Sequence, residues 1–403
     1  MDTITHGIVG ALIGKAFFAD NASGKAPSWW RPPRTEDRVA IVCATLGAMF
    51  PDIDVFFPLF SHRRLAFLTM HRGVTHSLLM LVVWAAGLAL LARWLARMAK
   101  WPAPEFSQLF SVFGAALASH IFLDLLTPWG TMVWSPVDHT RMSWDSLFIV
   151  DLTLTSIALL PQVAAWVHGP SKHPAWVAVA AWLAFSGLVF AVAPFARSLD
   201  VPFPNEAIAG AALISGAFLL APLRRHGQST LGRVSWTRIG MTLLAGYIGF
   251  AAAMHGIALN QLRQYAADSH IDYDDLAALP QPPWPGDWAG LITSGQNTYR
   301  IQFSLVGGDP PRLNVYRSAA NRYVSDARAM PDVQTFLWFA RFPIFTYLER
   351  DGHPVVQISD AQFLGPQRRL RNSDLSTPAT NFTYEIVFAQ DGSVVSSGLS
   401  SMR

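Results

Sequence analysis

A chain of 403 residues that is 51% hydrophobic and only 14% charged, with a mean hydropathy of +0.28, is too apolar for an ordinary soluble protein and reads as a polytopic membrane protein. The formal charge of +3 is modest, and the basic residues sit in short loops rather than on one face, so nucleic-acid binding is not implied. A single cysteine, Cys43, excludes an internal disulfide and a cysteine-based zinc site, which leaves histidines and carboxylates to hold any metal.

The start MDTITHG has no basic n-region, and no cleavable signal peptide is expected, so His6 stays in the protein. Residues 4–18 form a short apolar segment with glycines at 7, 10 and 14, a spacing that lets another helix approach closely. A basic loop with WWRPPR follows. The second apolar segment, 39–60, is interrupted by Pro51, Asp52 and Asp54, and the third is 74–95. Further apolar segments are expected at about 109–126, 147–167, 176–195, 207–223 and 239–259, giving an all-α membrane domain of about eight helices over residues 1–260. A polar helix over 261–275 and a Pro-rich linker over 279–288 lead to a β-rich extramembrane domain, 289–403. Strands are expected in YRIQFSLV, RLNVY, VQTFLWFA, IFTYLE, HPVVQI and FTYEIVF, with a hairpin turn at Gln390-Asp391-Gly392.

Lys25, Arg31, Arg34, Arg38, Arg93, Arg97, Lys100, Lys172, Arg224, Arg225, Arg233 and Arg238 fall in one set of loops, twelve against the five of the other set (Arg63, Arg64, Arg72, Arg141, Arg197). That bias places the N-terminus and the C-terminal domain outside. On this topology Asp52, Asp54, His71, His76, His120, Asp124 and His6 all arrive at the outer face.

Ionisable groups inside apolar segments cost several kcal/mol unless partnered, so the cluster reads as functional. His120 and Asp124 are spaced i,i+4 and project from one helix face, as two ligands of one ion or as an intrahelical hydrogen bond. Asp52 and Asp54 do not share a face, so one is expected to bind metal and the other to orient a histidine or cap the helix. In HRGVTHS, His71 is expected in a loop and His76 in the first turn of the next helix, with Thr75 or Ser77 as cap. Arg72 suits an anion such as phosphate, or simply flanks the membrane. His255 reads as a packed polar residue, and His62, His168, His173, His226, His270 and His353 as loop or surface residues. The donor set, nitrogen and oxygen, suits zinc or manganese, one or two ions, and the reaction to expect is metal-assisted hydrolysis. No G-x-S-x-G, P-loop or H-E-x-x-H motif supports another hydrolase class.

MDTITHGIVG, FPDID, HRGVTHSLL and SHIFLDLLTPWGT together resemble the YdjM/YbcI family of bacterial inner-membrane proteins, described as metal-dependent hydrolases. That family is distantly similar to zinc-dependent phospholipase C and P1-type nucleases. The resemblance covers residues 1–150. It implies that His6 binds one ion, that an aspartate of FPDID, a histidine of HRGVTH and His120 bind another, and that Asp124 bridges. For the third ion of the phospholipase pattern the chain offers only His139 with Asp138, Asp145 or Asp151. The expectation is an inner-membrane hydrolase acting at the outer face on a phosphoester of a lipid or envelope intermediate, with Asp54 and Arg72 assisting. The alternative is a non-catalytic transporter or envelope stress factor with a structural metal.

Overall fold

The computed structural model describes residues 1–18, 35–101, 104–168, 175–198, 205–220, 233–282, 285–307, 310–364 and 382–399. Of the basic residues used for orientation, Lys25, Arg31, Arg34, Lys172, Arg224 and Arg225 lie outside these, as do His173 and His226. The chain divides into two compact units, residues 1–54 with 72–250 and residues 55–71 with 251–403.

The first unit is helical. It comprises α1 (Thr3–Ile13), α2 (Thr35–Met49), α4 (Leu78–Met98), α5 (Phe106–Leu125), α6 (Leu152–Val167), α7 (Ala175–Ser198), α8 (Asn205–Leu219) and the first part of α9 (Arg233–Asp268). Among the described residues, Asp37–Phe60, Leu78–Met98, Phe106–Leu125, Ala175–Pro194 and Val234–Asp268 are long and apolar enough to cross a membrane. Thr3–Phe18, Leu152–Val167 and Asn205–Leu219 are shorter apolar helices, so the first segment is short, as expected. Helices α4 and α7 expose Leu90, Leu95, Leu188 and Phe190, an apolar surface that hydrocarbon, not water, accommodates.

Small residues set the spacing between helices. A core of Ala40, Ala44, Ala85, Ala89, Val112, Phe113 and Leu117 joins α2, α4 and α5. Helix α1 crosses α2 so closely that a Cβ at Gly10 would lie 2.5 Å from both the Ala44 carbonyl oxygen and the Ala48 Cβ. The glycine spacing read from the sequence serves this contact. Gly10→Val therefore forces α1 away from α2, and a loss of about 1–3 kcal/mol is expected, read as a lower melting temperature of the full chain in detergent. An unchanged melt would mean that the two helices do not touch there.

The end of α2 follows from Pro51 and Pro58, which lack the N–H that an α-helix interior needs. The chain tightens into a 3-10 helix over Phe50–Phe60. At about three residues per turn, Asp52 and Asp54 diverge by roughly a third of a turn.

The second unit carries two four-stranded antiparallel sheets. Strands β1 (Asp275–Pro280), β2 (Asp287–Ser294), β3 (Asn297–Ser304) and β4 (Arg312–Arg317) form one meander; β5 (Pro343–Arg350), β6 (His353–Asp360), β7 (Thr383–Phe388) and β8 (Val394–Leu399) form the other. One face of the first sheet packs Trp288, Ile292 and Ile301 on Met254, Ala258 and Leu262 of α9. Its other face, Ala277, Leu279, Leu291 and Tyr316, meets Phe342, Ile344 and Leu364. The hairpin at Gln390-Asp391-Gly392 is present, with Gly392 at φ 91°.

Three local expectations need correction. Apolar VQTFLWFA is not a strand but lies in α11 (Pro331–Phe339), where Val333, Phe336 and Phe339 are buried at a helical interval behind a proline in the first turn. The polar helix over 261–275 is the continuation of α9 to Asp268, and the sheet starts at Asp275, with prolines closing β1 and forming its turn instead of a linker. Two short helices, α3 (Ala66–Met70) and α10 (Arg322–Arg328), carry too little periodicity to be seen in the sequence.

Candidate metal centre

Every element of the site belongs to the first unit and brings its polar residues to the same end. Helix α1 begins there with His6, α2 runs out there towards Asp52, α4 begins two residues after His76, and α5 ends there with His120 and Asp124. His120 and Asp124 fall in the last two turns of α5, whose 20 residues make about 30 Å of helix, about the thickness of a hydrocarbon layer.

Four side chains point at one spot. One ligand atom each from Asp52, His76, His120 and Asp124 lies within 4.8 Å of the others, and all four residues are buried. The Nε2 atoms of His76 and His120 are 3.0 Å apart. Asp124 Oδ2 is 3.2 Å from His76 Nε2 and 3.5 Å from His120 Nε2, and Asp52 Oδ1 is 3.5 Å from each. Four donors around a zinc ion at about 2.0–2.1 Å stand about 3.3 Å from one another, a spacing that the five distances involving an imidazole approach, while the set as a whole spans 4.8 Å.

The tautomers agree. His120 Nδ1 lies 2.6 Å from the Ala48 carbonyl, so it carries the proton and donates, turning the Nε2 lone pair inward. His76 Nδ1 likewise donates to Asp54 Oδ2 at 3.1 Å. A histidine whose outer nitrogen is held by a carbonyl or carboxylate is the usual arrangement of a metal ligand. Asp124 Oδ2 is buried with no hydrogen-bond partner, as is His6 Nδ1. Burial works against a charge on His76, but the carboxylates of Asp124, Asp52 and Asp54 beside its ring outweigh it and raise its pKa to about 10. A proton and a cation compete for that nitrogen.

Around the donors lies a second layer. Asp54 is fully buried and is not a ligand; its Oδ2 accepts from the Thr75 hydroxyl and the Arg72 amide as well as from His76. Arg72 takes a left-handed backbone, φ 60°, fixed by that bond and by the Met132 N–H donating to its carbonyl. Its guanidinium is not open to an incoming anion, as the sequence suggested, but reaches Asp124 Oδ1 at 3.0 Å and Thr127 Oγ1 at 2.9 Å. His6 approaches the same Asp124 oxygen at 3.1 Å and stacks on the His120 ring at 3.6 Å, so it adjoins the four donors through Asp124. The amine of Met1 also pairs with Asp124 Oδ1. Three buried carboxylates, Asp52, Asp54 and Asp124, are thus offset by the guanidinium, the amine and the His76 imidazole, whose proton a metal ion would replace.

The open choice between His71 and His76 is resolved by geometry. His71 caps the end of α3 and its ring stacks on Phe67 at 5.1 Å, away from the donors, because the left-handed turn at Arg72 redirects the chain. Ser77 is the cap of α4, accepting from Leu79 and Met80. Of the residues considered for a third ion, Asp138 and His139 are exposed, Asp145 sits in a left-handed turn, and Asp151 caps α6 and accepts from Tyr247. The contributions that sequence reasoning missed are the Ala48 carbonyl and the hydroxyls of Thr3 and Thr127, which lie in or beside the quoted motifs without standing out there, and the bond from Thr75 to Asp54, since the sequence suggests Thr75 only as a cap.

Residues 1–199 match the family model described as YdjM inner membrane protein. The match contains the whole donor cluster and stops short of the β-rich domain. No curated protein and no solved structure gives a match.

Proposed function

We propose that the protein is a membrane-embedded hydrolase that uses a divalent ion, zinc by preference, to cleave a phosphoester of a lipid or envelope intermediate, with the site and the C-terminal domain on the periplasmic side of the inner membrane. The observation that carries this reading is the convergence of two carboxylate oxygens and two imidazole nitrogens, all buried and within 4.8 Å of one another, at the ends of apolar helices. Asp52, His76, His120 and Asp124 would hold the ion, and His6 would serve a neighbouring ion that Asp124 bridges. Such an ion supplies Lewis acidity, polarising an ester and lowering the pKa of water towards neutrality. Asp54 keeps His76 in its ligating tautomer, and Ala48 does the same for His120. Arg72 holds Asp124 and places a positive charge behind it, so its help to an anionic substrate is electrostatic, not direct.

The runner-up is a structural metal in a protein that is not an enzyme. It is favoured by the completeness of the donor set, since structural zinc sites are closed by four protein ligands and catalytic ones keep an open position. The two are separated by purifying the full chain in detergent, measuring bound metal, and assaying a generic phosphodiester and phospholipid vesicles. Metal with chelator-sensitive hydrolysis supports the enzyme; stoichiometric metal without hydrolysis of either substrate supports the structural reading.

A further inference from the structure

A closed set of four donors can serve a reaction only if one donor leaves, and the four are not held equally. His76 is fixed at Nδ1 by Asp54, His120 by the Ala48 carbonyl, and Asp124 by Arg72 and His6. Apart from the imidazoles of the donor set, Asp52 is held among the described residues by the Thr3 hydroxyl, which donates to its Oδ2 at 2.6 Å. Its ligating oxygen also stands farthest from the imidazoles, at 3.5 Å from both. It is the one member with surface exposure, 6%, where the other three have none. The carboxylate can turn about its Cβ–Cγ bond, whereas either imidazole would have to break the bond at its Nδ1 to do so.

We propose that Asp52 is the exchangeable ligand of the cluster and Thr3 the tether that receives it when it turns away, opening the position into which an anionic phosphate oxygen enters. The exchange replaces one anionic oxygen with another among the donors, and the displaced carboxylate keeps its charge on the Thr3 hydroxyl. This rests on the metal-dependent reading above and assigns the face from which the substrate arrives.

The test uses the full chain in detergent loaded with cobalt(II), whose visible spectrum reports its ligands, and inorganic phosphate as the probe. Wild type and Asp52→Ala are both expected to hold about one equivalent at saturating cobalt, the variant less tightly because one donor is gone. His120→Ala is expected to lose it. Phosphate is expected to shift the wild-type spectrum until it coincides with that of phosphate-saturated Asp52→Ala. Thr3→Val, which removes the tether and leaves every donor in place, is expected to change the half-saturating phosphate concentration at least threefold. If phosphate shifts the spectrum of Asp52→Ala but not that of wild type, or if wild type holds cobalt and Asp52→Ala does not, the inference is overturned and the metal reading stands. If wild type holds neither cobalt nor zinc, both fall.

Discussion

Replacing His120 with alanine is expected to strip the ion from the protein. The change removes one of four donors, and it also frees the Ala48 carbonyl that the imidazole N–H had satisfied at the buried end of α2. A buried carbonyl left without its partner costs about 1–3 kcal/mol by itself. Loss of an outer partner alone lowers metal affinity about 10–100-fold, so loss of a ligand should exceed that. Metal analysis after dialysis should show zinc falling from about one ion per chain to a small fraction, and a chelator competition should place Asp54→Ala between the two, since it removes no donor but takes away the carboxylate that holds His76 Nδ1, the Thr75 hydroxyl and the Arg72 amide. His71→Ala is the control that makes the result sharp. It lies in the same HRGVTH motif, but its ring packs on Phe67, and zinc content should not change. If His71→Ala loses the ion and His120→Ala keeps it, the donor set described here is wrong.

Much of this site was legible because polar residues inside apolar segments have few reasons to be there. The i,i+4 pair His120/Asp124 and the proline-interrupted FPDID announced themselves in that way, and the topology brought them to one face. What the sequence could not separate were residues of one chemical type a few positions apart. The choice of His76 over His71 depends on a left-handed turn at Arg72, a conformation that an arginine does not advertise. The division of labour between Asp52 and Asp54 was implied by their spacing, but which one faces the donors is fixed by the phase of a 3-10 helix that starts at Phe50. In the second unit, VQTFLWFA misled because a short apolar run fits a buried strand and a buried helix equally well; the proline at 331 and the interval of Val333, Phe336 and Phe339 tip it to a helix. Strands β1 and β2 were hidden among prolines that end strands as readily as they build linkers.

Arg72→Met is expected to show that the guanidinium and a bound ion balance the same buried carboxylate. The guanidinium is 3% exposed and holds Asp124 Oδ1, the Thr127 hydroxyl and, at 3.4 Å, the Asp124 carbonyl. Methionine fills a similar volume, so packing is largely kept while the charge goes. Removing one partner of a buried ion pair typically costs about 3–5 kcal/mol, because the other charge stays behind. In a chelator-treated protein this should lower the melting temperature by on the order of 10 °C. Saturating zinc should return much of that loss, because a divalent ion between Asp52 and Asp124 supplies positive charge to the carboxylate that Arg72 had neutralised. The measurement is a pair of thermal melts, with chelator and with zinc, for wild type and variant. An equal deficit in both conditions would mean that Arg72 acts through packing and the left-handed turn alone. A deficit that shrinks when zinc is added would mean that the guanidinium and the ion balance the same buried carboxylate, as a cation-binding centre requires.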